Sequence, residues 1–433
     1  MKKSSYLFWT ILLAMFITAR AQMQSLGLET ALTLALKNNL TLQKSLNTLQ
    51  LGQISLAQNK MSLLPSLSLS GSYSSRKNVA ENGNPVNNFS AGFSSQLNLF
   101  NGFADMASIR QARQNFQAQD FTVQRLRETV IYTTVQLYLN TQLAAEWLEI
   151  QKADLQAQQE QYRKIQSAYR AGNKSRADLL QQEAELSESR RQLYARREQL
   201  AIQKARLLTY LNLSPEDSLA LKEVDLTDWL TLPLSGPDSL DGRRADLMAA
   251  KTELQAAREE IALARSGFFP TVNLSLSAGS NYSNAPFSGS FHSQFWDENP
   301  YISGSLSFTL PLFDRFRTKY AVESAKIRYK TSHLSLREKE LETRQEVYTA
   351  RYSARTALKQ LEATRNRLAY SREAYQIQKA KYETGTISFV DFSQARVLFL
   401  QAQLDLAATR VEAALKILNY YYSLGILNTV VRF

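Results

Sequence analysis

The sequence predicts an α+β membrane protein with an internal duplication, in which long antiparallel α-helical hairpins are joined to four transmembrane β-strands. Three observations carry that prediction. Proline and glycine crowd into a few short windows. A set of ordered motifs recurs about half a chain later, and near the prolines the hydrophobic period switches from helical to two.

The chain opens on Lys2 and Lys3, an apolar stretch from Tyr6 to Ile17, and the small-x-small sequence Ala19-Arg20-Ala21. This predicts a secretory signal peptide over 1–21, because the apolar run is short for a bilayer and a cleavage site follows it. An uncleaved anchor helix is the alternative. The chain of 433 residues has no cysteine, so an exported form has no disulfide and holds together by packing, by assembly, or by both. With 44% hydrophobic and 21% charged residues, its composition is that of an ordered protein. The formal charge is +12, yet the bases are interleaved with acids, as in Glu183, Glu185, Glu188, Arg190, Arg191, Arg196, Arg197 and Glu198. That is a solvated helical face. No aromatic-basic module interrupts it, so nucleic acid is not an expected partner.

All nine prolines fall in three windows, Pro65 to Pro85, Pro215 to Pro237 and Pro270 to Pro311. Between Phe103 and Ser214 the one breaker is Gly172, and between Leu312 and Leu424 it is Gly385. A helix interior disfavours Gly by about 1 kcal/mol and Pro by about 3, and both stretches are rich in strong helix formers. Each reads as a helical hairpin turning at its single glycine. Phe103 to Ala171 spans about 69 residues, or about 100 Å at 1.5 Å per residue. Val123, Leu126, Val130, Leu137, Ala144, Leu148 and Leu155 form one stripe along it, with polar residues between. Helices that are not apolar all round do not cross a membrane; these pack laterally, in coiled-coil fashion.

The two hairpins are halves of a duplication. Tyr169-Arg170-Ala171-Gly172 with Ser175 and Asp178 matches Tyr382-Glu383-Thr384-Gly385 with Ser388 and Asp391 at an offset of 213. Leu97 to Phe103 matches Leu310 to Phe316 at the same offset, and the segment around Pro65 matches that around Pro270 at 205. The expected organisation is a first repeat over 22–214, a joining segment over 215–242, a second repeat over 243–424 and a C-terminal segment over 425–433. Within each repeat a short helix (Thr30 to Ser62, Arg243 to Ser266) and a returning helix (Lys174 to Leu213, Thr386 to Leu424) nearly equal the long one. Stacked end to end, they run antiparallel beside it.

Pro65 and Pro270 lead from helix into strand. Leu67, Leu69 and Tyr73 alternate with serines, and Phe89, Ala91, Phe93, Leu97 and Leu99 alternate with small polar residues. Val272, Leu274, Leu276 and Ala278, then Ile302, Leu306, Phe308, Leu310 and Leu312, do the same in the second repeat. An apolar face opposite a small polar face fits strands with lipid outside and water inside. A soluble sheet shows the same alternation, but no amphipathic segment is left to cover the apolar face. The connections Ser74 to Asn88 and Asn281 to Pro300 are long and polar, and Tyr73, Tyr282, Tyr301 and Phe308 suit either a membrane interface or ordinary lipid-facing bulk. Four strands cannot close a barrel, and open edges are not tolerated in lipid. Several copies must therefore share one ring: two give eight strands with a filled interior, three give twelve and a water-filled passage.

Over essentially the whole mature chain the sequence resembles the TolC-like outer-membrane efflux proteins. The resemblance rests on Leu28-Glu29-Thr30-Ala31-Leu32 with Ala35-Leu36-Lys37-Asn38-Asn39, on the Leu-Pro lead into the first strand, and on the duplicated Tyr-x-x-Gly-x-x-Ser-x-x-Asp turns. It implies a homotrimer with a twelve-stranded β-barrel in the outer membrane of a Gram-negative bacterium and an α-barrel tunnel through the periplasm. It further implies a periplasmic adaptor and an inner-membrane pump as partners, in a tripartite efflux or type I secretion system. On matching positions, the turns with Tyr169, Gly172 and Ser175 and with Tyr382, Gly385 and Ser388 become the adaptor-docking tip. Asp391 matches an acidic constriction and Asp178 is its counterpart. Gln394 stands where some members carry a second acid, which puts the acidity of the gate in question. The plain alternative for both aspartates is an acid in the first turn of a helix, complementing the dipole.

Two histidines and no cysteine argue against a transition-metal site. There is no nucleophile elbow, phosphate loop or dinucleotide fingerprint. No cofactor and no enzymatic activity are expected. The competing reading is a non-transporting periplasmic coiled-coil scaffold or adaptor.

Overall fold

In the computed structural model, residues 26–77, 84–217, 219–234, 244–285 and 289–431 are described; the predicted signal peptide, Pro237 and Pro286 lie outside them. Among the described residues, eight α-helices and four strands follow one another in two similar series. The first is α1 (Leu28–Asn38), α2 (Leu40–Met61), β1 (Ser66–Arg76), β2 (Val86–Asn101), α3 (Ala104–Arg170) and α4 (Arg176–Tyr210). A short α5 (Thr227–Leu230) leads to α6 (Ala245–Arg265), β3 (Thr271–Ser283), β4 (Tyr301–Thr309), α7 (Arg317–Glu383) and α8 (Phe389–Ser423). The chain divides into two units, one of Met1–Lys44, Gln124–Arg244 and Glu342–Phe433, the other of Ser45–Val123 and Ala245–Leu341.

The second of these units holds the sheet, an antiparallel meander in the order β1-β2-β3-β4. Its register puts Leu69 opposite Phe93, Phe93 opposite Ala278, and Ala278 opposite Ile302. Directly opposed residues share a face, so the apolar positions of all four strands line up on one side. The other side carries serine ladders: Ser68 with Ser94, Ser72 with Ser90 and Ser277 with Ser303, each pair at 2.8 Å. Leu67, Leu69, Ile302, Leu306 and Phe308 are exposed, and no described element covers that face of the edge strands. In the same unit α2 runs antiparallel to the first part of α3. Gly52 sits where the two helices approach, and a Cβ there would meet only the terminal amide of Gln119, the far end of a flexible side chain.

Both strand-to-helix junctions use the same two-residue device. Gly102 and Phe103 take φ of 68° and 67°, and their counterparts Arg315 and Phe316 take 58° and 61°. Asn101 Oδ1 accepts from Asp105 N at 3.3 Å, as Asp314 Oδ2 accepts from Thr318 N at 2.8 Å, so each long helix starts on a side-chain cap. The Thr318 hydroxyl and amide hold the Asp314 carboxyl below the usual carboxylate range.

The other unit is helical. Here α4 runs antiparallel to the later part of α3, and α8 antiparallel to the later part of α7, with Arg367 pairing Asp405 at 2.6 Å. Of the expected α3 stripe, Val130, Ala144 and Leu148 are buried here, but Leu126, Leu137 and Leu155 are only half-buried, and Ile131, Val135, Tyr138 and Leu139, off that stripe, are sealed more deeply. Two arginines, Arg125 and Arg244, donate to the carbonyls of Tyr422 and Ser423 at 2.9 and 3.1 Å, satisfying orphan groups at the C-terminus of α8. The joining segment is pinned beside them: Tyr421 donates to Pro233 O at 2.7 Å, and Leu230 packs on Ala357, Leu361 and Ala413. Two expectations need correction. The last strand, β4, ends at Thr309, so Leu310 and Leu312 lie outside the sheet. The first short helix is not continuous from Thr30 to Ser62, because Asn39 has extended backbone and its side chain caps a new helix by accepting from Leu42 N at 3.1 Å. Among the described residues no helix is long and apolar enough to cross a membrane.

Candidate functional site: the two hairpin turns

All the residues singled out at the turns lie in the helical unit. At the end of α3, Gly172 N donates to Tyr169 O at 3.0 Å and Asn173 N to Ala168 O at 2.8 Å. At the end of α7, Gly385 N donates to Tyr382 O at 3.1 Å and Thr386 N to Lys381 O at 2.9 Å. These are Schellman closures, which need a left-handed residue just past the helix. Gly172 and Gly385 supply it at φ 79° and 76°, with open space around the absent Cβ. Backbone conformation alone calls for glycine here.

The N-cap of the next helix stands three residues later in both cases. Ser175 Oγ accepts from Asp178 N at 3.0 Å while Asp178 Oδ2 accepts from Ser175 N at 3.2 Å. Ser388 Oγ accepts from Asp391 N at 3.2 Å while Asp391 Oδ2 accepts from Ser388 N at 3.3 Å. Both are capping boxes, with Asp in place of the commoner Glu or Gln. Capping and the helix dipole therefore explain both aspartates locally. Asp391 and Gln394 are nonetheless exposed, one helical turn apart on a face shared with Val390 and Val397. Pro65 and Pro270 stand immediately before β1 and β3 in the other unit, away from this site in the chain.

The matched tyrosines part company. Tyr169 is 38% exposed, whereas Tyr382 is only 4% exposed and packs in a cluster with Ile165, Phe389 and Phe392. Tyr382 stacks on Phe392 at 4.9 Å, Phe392 on Tyr375 at 6.0 Å, and Tyr375 on Phe399 at 5.3 Å. Lys174 Nζ lies 4.2 Å above the Tyr382 ring. The Tyr382 hydroxyl is buried without a hydrogen-bond partner. Burial, helped by the Asp178 charge, pushes its pKa up to about 12.

A polar constellation that sequence reasoning missed lies behind this cluster. Arg396 on α8 pairs with Asp154 on α3 at 2.6 Å and with Glu185 on α4. Ser393 donates to Glu185 at 2.7 Å and Ser189 to Asp154 at 2.8 Å. Arg396 is 12% exposed, so this is a largely desolvated clasp tying three helices together. Its signal in the sequence is faint: one arginine inside the short apolar stretch Ala395 to Leu400.

The family profile described as outer membrane efflux protein matches residues 31–213 and again 236–419. The chain belongs to the outer membrane efflux protein family. The double match mirrors the duplicated turns and junctions. Among relatives of these outer membrane efflux proteins, the cation efflux system protein CusC of Escherichia coli K12 is 26% identical over 391 residues, 88% of this chain and 83% of CusC. The probable efflux pump outer membrane protein TtgC of Pseudomonas putida is 24% identical over 92% of this chain and 83% of its own length. Outer membrane protein TolC of Escherichia coli K12 is 25% identical over 84% and 75%. In fold, a crystal structure of CusC aligns with TM-score 0.83 at 22% identity, covering 94% of this chain and 95% of that one. The Campylobacter jejuni CmeC outer membrane channel aligns with TM-score 0.79 at 21% identity, covering 92% and 85%. Efflux proteins of this family are outer-membrane channels, and the four-stranded sheet with long helices is the fold these channels share.

Proposed function

We propose that this chain is one protomer of a trimeric exit duct that passively conducts substrates from a periplasmic adaptor and an inner-membrane pump to the exterior. The observation that carries this reading is a sheet with an apolar outer face, a polar serine face and two unpaired edges, β1 and β4. In lipid such edges require other copies, and three copies give twelve strands around a passage wide enough for water. A second feature agrees. Tyr320, Ile327, Leu334, Leu341 and Tyr348 recur every seven residues on α7 and are all exposed, a coiled-coil seam with no partner among the described residues.

In this reading the repeats are 22–214 and 243–424, joined by 215–242 and followed by 425–433. The turns around Gly172 and Gly385 form the periplasmic tip that meets the adaptor. Asp178, Asp391 and Gln394 border its constriction, with three copies of Asp391 making a weakly acidic ring. No cofactor is needed, since the pump supplies energy.

Detergent extraction followed by light scattering and planar-bilayer recording tests the proposal. A detergent-requiring trimer with single-channel currents is expected. Recovery of a soluble monomer without currents would sink the duct and favour a periplasmic scaffold.

A further inference from the structure

The connection from β3 to β4 folds back onto the sheet through a π-helical turn, Ser293–Glu298. The face it meets is the apolar one. Phe291 lies 5.8 Å from Phe89 and 5.1 Å from Tyr282, and Phe295 lies 5.5 Å from Phe89. Phe89 and Tyr282 are register partners on the side that carries Phe93, Leu276 and Ile302. The Phe291 and Phe295 rings stack at 5.2 Å, and Trp296 meets Phe295 edge-on at 5.2 Å while remaining 65% exposed.

Polar groups fix the turn in place. Ser280, on the apolar face, donates to Phe295 O at 2.5 Å and is buried. Without the turn its hydroxyl would face lipid unsatisfied, which is costly. The buried Gln294 amide acts as a further strand: its oxygen accepts from Ser283 N at 3.0 Å and its nitrogen donates to Ser283 O at 3.0 Å. A loop serving only to span water would need neither device.

We propose that the segment Phe291 to Trp296 is a membrane-interface anchor, an aromatic flap laid over the outer face of β2 and β3 at the end far from the helices. Its occupant is the boundary between headgroups and acyl chains in the outer leaflet. The flap continues the apolar face of the strands, which is the lipid-facing surface of an outer-membrane channel, and Trp favours that boundary. It sits on the central strand pair, clear of the β1 and β4 edges that a neighbouring copy must join. His292 and Asp297, paired at 3.7 Å and well exposed, give its rim a polar side.

Fluorescence quenching in lipid vesicles tests this, with the Trp296 signal taken as wild type minus Trp296→Phe. Lipids brominated near the headgroup end of the chain are expected to remove most of that signal, and aqueous iodide little of it. Dominant quenching by iodide, or by lipids brominated at the chain end, overturns the proposal; so does silence toward every quencher, which would mean a protein contact instead. Gln294→Ala is expected to exchange lipid quenching for iodide quenching while channel currents persist. Unchanged lipid quenching in that variant would overturn the role given to the turn.

Discussion

Tyr382 and Tyr169 occupy matching positions in the two repeats, yet only Tyr382 is sealed in an aromatic stack with an unpartnered hydroxyl. Its proton is held up to about 12 against an ordinary value of 10, so the folded state binds it more tightly than the unfolded chain does. This contribution to stability is complete below pH 10 and disappears as pH rises to about 12. Tyr382→Phe should remove that loss, measured as a smaller alkaline drop in melting temperature, and should cost nothing at neutral pH because no hydrogen bond is given up. Gln394 leads to a second prediction. It is exposed one turn beyond Asp391, so in the proposed trimer Gln394→Glu should add three carboxylates at the proposed constriction. Reversal potentials across a salt gradient should then shift toward cation selectivity, and no shift would remove Gln394 from the conduction path.

At the level of elements, the clasp of Arg396 with Asp154 and Glu185 holds α3, α4 and α8 together. Truncating one member of a buried ion pair costs about 3–5 kcal/mol, mostly because the partner charge is left stranded. Arg396→Ala should therefore destabilise strongly in denaturant melts. Adding Asp154→Ala and Glu185→Ala should restore much of the loss, since no buried charge then remains unpaired. The seam on α7 makes a different prediction. Leu334→Glu should leave helicity unchanged in circular dichroism but shift the detergent-solubilised species from trimer toward monomer by light scattering. These two features also mark the limit of sequence reading. The lone glycines, the first-turn aspartates and the alternating strands were legible because each depends on its own few neighbours. Arg396, Asp154 and Glu185 were not, because they are separated in sequence and meet only after three helices have packed. Nor did periodicity say which stripe faces inward: Val130 and Ala144 are buried on α3, while Ile327 and Leu334 stand exposed on α7.

For the whole molecule, the duplication was readable from motif spacing, and the backbone repeats it more deeply than the residues do. Arg315 and Phe316 take the same left-handed turn as Gly102 and Phe103 although one pair lacks the glycine. The Ser293–Glu298 turn has no counterpart in the first repeat's described residues and was read only as loop, because its aromatics acquire meaning only against Phe89 and Tyr282. The four strands of the sheet lie side by side in chain order. Each repeat contributes a hairpin, one strand up and one down, so the chain's first and last strands always run in opposite senses. A ring made of such chains is antiparallel at every seam whatever the number of copies. A single added strand would force one parallel seam per subunit. Duplication in units of hairpins preserves that parity, and the ring can evolve in circumference without ever changing its weave.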